Sequence, residues 1–191
     1  MKNFLVIVII TVVLFLLYSF RNSSKNISEE QYIILKKIDN IEIRKYRESV
    51  NASYYSEEKA ERNNYFRNLA AYIFGDNTEN ASIDMTSPVT MKLYGNKEMI
   101  FRMPSNYTLD NLPKAKNPKI NFMTIASCTK AAIQYSGYSN KNIEEKKIQE
   151  LKNILERENI KHDNKFELLV YNSPFEILNR RNEITINIIY P

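Results

Sequence analysis

Glycine, cysteine, histidine and tryptophan are all scarce in this chain, and each scarcity excludes a kind of chemistry. Three glycines among 191 residues form neither GxGxxG nor GxxxxGK[ST], so the glycine-rich loops that cradle nucleotide phosphates are missing. One cysteine, Cys128, permits no intrachain disulfide and no CxxC metal knuckle. It stands in a run of small strand residues and is expected to be a packing residue rather than a thiolate ligand. One histidine, His162, removes most zinc sites and Ser-His-Asp arrangements. Its place just past a helix suggests a solvated side chain near a helix C-terminus. A dense basic stripe is also lacking. Lys and Arg number 27 against 22 Asp and Glu, for a net charge of +5, with the signs interleaved as in "EEKKIQELKNILERE". A mixed-charge, solvated surface follows, and no nucleic-acid partner is expected.

What the chain does have is one long apolar run and a strand-rich body. Phe4 to Phe20 is uncharged, interrupted only by Thr11 and Ser19. As a helix it would span roughly 25 Å, slightly less than a hydrocarbon core of about 30 Å. Lacking an A-x-A-like site before a cut, residues 1–21 are expected to be an uncleaved membrane anchor, with a cleaved signal as the alternative. Residues 4–20 would then be the contact with the membrane, and residues 22–31 a polar linker. Residues 32–191 would form one domain outside the cytoplasm, secreted if the N-terminus is cleaved. The length suits a single core.

Within that domain, "YIILKKIDNIEIRKY" predicts two strands around a tight Asp39–Asn40 turn. In the second strand Ile41 and Ile43 alternate with Glu42 and Arg44, as for a sheet with one wet face. Ser56 is a plausible N-cap for a helix from about Glu57 to Phe74, with Phe66, Leu69, Ala70 and Ile73 on one face and Gly75 as its left-handed stop. "VTMKLY" and "EMIFRMP" predict strands, followed by a long proline-marked loop. "FMTIASCTKAAIQYSG" predicts one long strand. A second helix follows, with Ile148, Leu151 and Leu155 on one face and Asn142 and Glu145 as a capping pair. "FELLVYN" and "EITINII" close the chain. The strand–helix–strand plan occurs twice at an offset of roughly 80 residues, and the pattern predicts an α+β fold with an antiparallel sheet and two helices.

Five phrases, "IEIRKY", "YIFGDN", "IDMTSPV", "FRMPSNYTLDNLPKAKNPKI" and "YNSPFEILNRRNEI", occur in this order. Together they resemble the SOUL heme-binding protein family from Tyr32 to Tyr190. The resemblance implies a distorted antiparallel β-barrel of two pseudo-repeats, each with a helix packed outside (a SOUL/GyrI-like fold). It also implies non-catalytic, non-covalent binding of heme or a related tetrapyrrole in a shallow apolar cleft beside the first helix, as a carrier, buffer or sensor. Some family members carry a histidine, suggested as an iron ligand, between the arginine and tyrosine of "IEIRKY". That position is Lys45 here. A protonated lysine offers no lone pair, so no metal ligand is expected.

The candidate cleft and rim residues are Phe66, Leu69, Ala70, Ile73, Met85, Tyr171, Arg180 and Arg181. The four helix residues are either cleft wall or simply the helix core face, and Met85 is either a soft contact or a gap filler. Arg180 and Arg181 suit heme propionates, or else belong to a hairpin turn joining "FEIL" to "EITI". Tyr171 is a conceivable phenolate ligand to ferric iron. Two other functions compete. One is a GyrI-like small-molecule hydrolase using Glu167 or Glu176 with a tyrosine. The other is a membrane-tethered interaction module without a ligand.

Overall fold

The computed structural model describes residues 31–57, 64–173, 176 and 179–190. Its elements run β1 (Tyr32–Ile38), β2 (Ile41–Tyr46), β3 (Ser49–Tyr54), α1 (Tyr65–Ile73), β4 (Val89–Lys92), β5 (Met99–Arg102), β6 (Ile120–Ile125) and β7 (Cys128–Ser136), then α2 (Lys141–Arg157), β8 (Lys161–His162), β9 (Glu167–Val170) and β10 (Arg181–Ile189). The described residues thus form an α+β fold, with ten strands in one antiparallel sheet and two helices.

The expected long strand is there, but it is bent. β6 and β7 are separated only by Ala126 and Ser127, and β2 and β3 only by Arg47 and Glu48. Tyr46 pairs with Cys128 on one side of this break and Ser49 with Ile125 on the other. Two residues are skipped on each strand, so the pairing resumes in the same register. The Ser127 hydroxyl donates to the Tyr46 carbonyl at 2.8 Å across the corner. Past the bend the neighbours change: β7 pairs with β10, whereas β3 pairs with β5. The path from β7 through β10, β9, β4 and β5 therefore leads back to β3. A sheet whose path returns to the strand pair it left must roll, giving it an inner and an outer face.

Both halves follow one plan. A bent strand leads to a helix and then to a pair of strands, preceded in the second half by the two-residue β8; the later of the pair returns to the bent strand (β5 on β3, β10 on β7) and the earlier meets its counterpart (β4 with β9). The apolar clusters lie on the outer face. Ile41, Ile43, Ala131, Ile133, Ile184 and Ile186 pack with Leu151, Ile154 and Leu155 of α2. Ala52, Tyr54, Met99 and Phe101 pack with Tyr65, Leu69, Tyr72 and Ile73 of α1. Fully burying such side chains stabilises by about 1.5–3 kcal/mol each, enough to hold helices that would be marginal alone. The long loop after β5 covers α1: Tyr72 donates to the Pro113 carbonyl at 2.9 Å, and Leu112 is buried in the same cluster.

Local signals fared well where turn chemistry decides. β1 and β2 are joined by Asp39 and Asn40, with Asp39 at φ 49°. Gly75, at φ 111°, follows the last turn of α1. Other expectations need correction. α2 is capped by Asn140, whose Oδ1 accepts from the Ile143 amide at 3.1 Å, two residues before the Asn142 expected. The described part of α1 begins at Tyr65, and residues 58–63 of the longer helix expected lie outside the described residues. Ser56 is buried instead, its carbonyl accepting from the Tyr65 hydroxyl at 2.7 Å. Among the described residues β10 pairs with β9, and most of "FEIL", the expected partner of "EITI", lies outside them. Membrane anchoring is also corrected. Among the described residues no helix is long and apolar enough to cross a membrane, and residues 1–21, the expected anchor, lie outside them.

Candidate functional site

The alternate residues of these strands, expected to meet water, turn into the roll and meet one another. On β2, Ile43 is 0% exposed on the outer face and Arg44 only 2% exposed on the inner one. Arg44 grips Glu183 of β10 with both nitrogens, Nη1 donating to Oε2 at 2.6 Å and Nη2 to Oε1 at 3.1 Å. Arg44 Nε also donates to Glu42 at 2.9 Å. Arg181 donates to Glu183 Oε1 at 2.7 Å, and the Tyr171 hydroxyl donates to Glu183 Oε2 at 2.9 Å. The Tyr32 ring lies 4.3 Å beneath the Arg44 guanidinium.

Burial alone would raise the Glu183 pKa, but hydrogen bonding to Arg44 and the charges of Arg44 and Arg181 outweigh it, so the carboxyl sits below the usual range. Burial, then the Glu183 charge, drives Tyr171 well above an ordinary phenol. The Tyr171 hydroxyl is thus engaged with a buried carboxylate inside the roll. Leaving Glu183 buried without its arginines would be strongly unfavourable, so Arg44 and Arg181 belong to the structure of this cluster.

Beyond the cluster the roll leaves a cavity of ≈ 60 Å³. That is room for a few waters, far below the roughly 300–1,000 Å³ of a typical ligand pocket. Its wall draws on β3 (Ser49, Asn51), β5 (Ile100, Arg102), β7 (Cys128, Lys130) and β9 (Glu167, Leu169), with Arg47 at the bend. Glu167 is ion-paired to Lys130. Burial pushes the Cys128 thiol up, then Glu167 adds to it while Lys130 opposes it. Cys128 is thus half-buried in a cavity wall rather than in an apolar core.

The sequence candidates do not converge on one place. Leu69 and Ile73 are 0% and 1% exposed and, with Ala70, belong to the core under α1. Phe66 is 36% exposed and Met85 42%, and these two remain accessible. Phe66 stacks edge-on against Phe101, ring centroids 5.4 Å apart. Met85 precedes Thr86, whose hydroxyl donates to the Arg102 carbonyl at 2.7 Å, so Phe66 and Thr86 meet neighbouring residues of β5. Phe74, 67% exposed at the end of α1, was not among the candidates. Its neighbour Gly75 marked the helix end, but no local pattern separates an exposed helical phenylalanine from a buried one.

Arg180 and Arg181 also part company. Arg181 joins the Glu183 cluster. Arg180 is buried and donates to the Ser173 and Glu176 carbonyls at 2.9 and 2.8 Å, with its guanidinium 4.4 Å from the Tyr138 ring. It pins the 171–180 loop, and its Nε finds no acceptor among the described residues. Lys45 is exposed on the outer face, away from the cavity. Among the described residues no group of three or more His, Cys, Asp or Glu could hold a metal. Arg44, Glu183, Arg47 and Arg102 were not singled out from sequence, because their roles depend on strands far apart in the chain.

Comparison with known proteins adds the following. The model of the SOUL heme-binding protein family matches residues 27–187. No curated protein matches. Among solved structures, an uncharacterized conserved protein from Listeria innocua superposes with a TM-score of 0.60 at 10% identity, over 78% of this chain and 92% of its own. A hydrolase from Listeria innocua gives 0.56 at 10% identity, over 81% and 94%. The EcmrR C-terminal domain gives 0.58 at 12% identity, over 79% and 98%. At these identities the likeness is one of fold.

Proposed function

The chain belongs to the SOUL heme-binding protein family, and from that premise we propose that it binds heme or a related tetrapyrrole non-covalently. The observation that carries this reading is the family match over residues 27–187. We read the rolled sheet as the distorted barrel of two pseudo-repeats that the family resemblance implies. The barrel interior is filled by its own ion pairs around a cavity of ≈ 60 Å³, so a ring of tetrapyrrole size belongs outside it. The supporting surface is the accessible apolar group at the α1 end of β5: Phe66, Met85 and, roughly 12 Å along the helix from Phe66, Phe74. Flat aromatic and thioether groups suit the face of a macrocycle. In this reading Leu69, Ala70 and Ile73 shape the surface from beneath, and Tyr171 and Arg181 take no part in ligation.

Hemin titration of the full chain, followed by Soret absorbance against a free-hemin blank and an unrelated basic protein, tests the proposal. The expected result is a saturable one-to-one shift, retained in Lys45→Ala and weakened at least tenfold in Phe66→Glu. Both positions are accessible, so neither substitution should unfold the protein, whereas Leu69→Glu would. Absence of a saturable shift, or one indifferent to Phe66→Glu and Met85→Glu alike, overturns it.

A further inference from the structure

The inner face holds more positive charge than its own carboxylates neutralise, and the excess is local. Glu183 and Glu42 are matched by Arg44 and Arg181, Glu167 by Lys130, and Glu98 by Lys92. Arg47 and Arg102 are left over. Both line the cavity, and neither guanidinium has an ion-pair or hydrogen-bond partner among the described residues. Three cations (Arg47, Arg102 and Lys130) thus face one carboxylate, Glu167, in the cavity wall. They are graded in depth: Arg47 is exposed, Arg102 half-buried and Lys130 deep.

Two guanidinium groups in one wall, with no carboxylate of their own among the described residues, repel one another. Arg102 shows the strain, its pKa lowered first by burial and then by the charge of Arg47. The neighbouring groups are polar and small. Asn51 is fixed by its amide, which donates to the Ser49 carbonyl at 2.8 Å and to its hydroxyl at 3.0 Å. Gln31, also in the wall, donates to the Ser87 carbonyl at 2.6 Å. Two guanidinium groups in the wall of so small a cavity suit an oxyanion, since guanidinium binds carboxylate and phosphate bidentately.

We propose that the mouth of the inner cavity, between Arg47 and Arg102, is a binding site for an oxyanion, a carboxylate or phosphate group. The limited volume admits the head group of a ligand and not a ring. The oxyanion has two possible sources, a free small anion or an acidic group carried by a larger ligand seated on the outer surface. Segment 85–88 connects the two places, with Met85 accessible at the α1 end of β5 and Pro88 in the cavity wall.

Calorimetric titration of the full chain at low ionic strength tests this, with inorganic phosphate as one probe and the iron-free porphyrin diacid and its dimethyl ester as the others. Phosphate binding that saturates, and that falls at least tenfold in Arg102→Gln but not in Lys45→Gln, supports a free-anion site. Diacid binding that falls at least tenfold in Arg102→Gln, with the ester unaffected, supports a site for the carboxylates of the larger ligand. Arg102→Lys, which keeps the charge without the fork, should retain part of either affinity, and the far-UV circular dichroism of each variant checks the fold. If neither phosphate nor the diacid responds to Arg102→Gln or Arg47→Gln in a folded protein, the proposal is overturned. Phe66→Glu separates it from ring binding: loss of porphyrin with phosphate intact would leave the anion site standing, and the converse would leave only the ring.

Discussion

The two faces of strand β2 invite comparison, because Ile43 and Arg44 are chain neighbours and almost equally buried. Ile43 lies in an apolar cluster under α2. Arg44 lies in a cluster of charges and tyrosines inside the roll. The outer face is stabilised by area removed from water, which any side chain of suitable volume supplies. The inner face is stabilised by matching, and each charge depends on a particular partner. The outer face should therefore respond to mutation in proportion to volume, and the inner face according to which partner is left alone.

The largest expected effect breaks the inner matching. Glu183→Ala should lower stability by about 3–5 kcal/mol by removing the buried carboxylate that Arg44 and Arg181 share, leaving Arg44 only Glu42, read as a fall in urea midpoint. The triple variant Arg44→Met, Arg181→Met and Glu183→Leu should recover most of that loss, since replacing all members of a buried ion cluster by apolar groups is often near neutral. If the triple variant is no more stable than the single one, the matching account of the inner face fails.

On the outer face, Leu69→Ala should lower stability by about 2–5 kcal/mol through cavity formation. Combined with Glu183→Ala, its effect should add to within about 0.5 kcal/mol, because the two sites belong to different clusters. A marked departure from additivity would show that the two faces are coupled.

Acid should also distinguish the faces. The Glu183 pKa is lowered in the folded protein, so its contribution is present above the unfolded-state value of about 4.3 and is lost as pH falls through the lower folded value. Urea midpoints measured from pH 7 downward should fall on the acid side, and Glu183→Gln should flatten that limb. Leu69→Ala should shift the whole curve without changing its acid slope. The smallest expected effect is that of Phe66→Ala, about 0.5–1.5 kcal/mol from the lost Phe101 contact, with hemin binding reduced far more than stability.

Much of the molecule was legible in the sequence, and what escaped shares a cause. The Asp39–Asn40 turn, the stop at Gly75 and the buried stripe of α2 were readable because each follows from residues within one or two turns of chain. The wet face assigned to β2 was not wet. The alternation of Ile41, Glu42, Ile43 and Arg44 correctly separated two faces, but it could not tell water from a second set of side chains. The long strand of residues 122–137 was recognised without its bend at Ala126 and Ser127, since nothing local in that pair requires one. The doubled arginine was treated as a unit, yet Arg180 pins a loop and Arg181 joins the ion cluster. Leu69 and Phe66 shared one predicted face and diverged, because the width of a helix's buried stripe depends on what packs over it.

The amino-acid sequence by itself determined the elements, the two-sided character of the strands, the absence of phosphate loops and disulfides, and the family. These depend on local period, turn chemistry and residue inventory. Only the tertiary structure decided that the polar face closes on itself, that Arg44 meets Glu183 across 139 residues, and that Arg47 and Arg102 share a cavity wall without an ion-pair partner among the described residues. Pairing of charges is a property of strand order and register, and those emerge only when distant strands share one sheet.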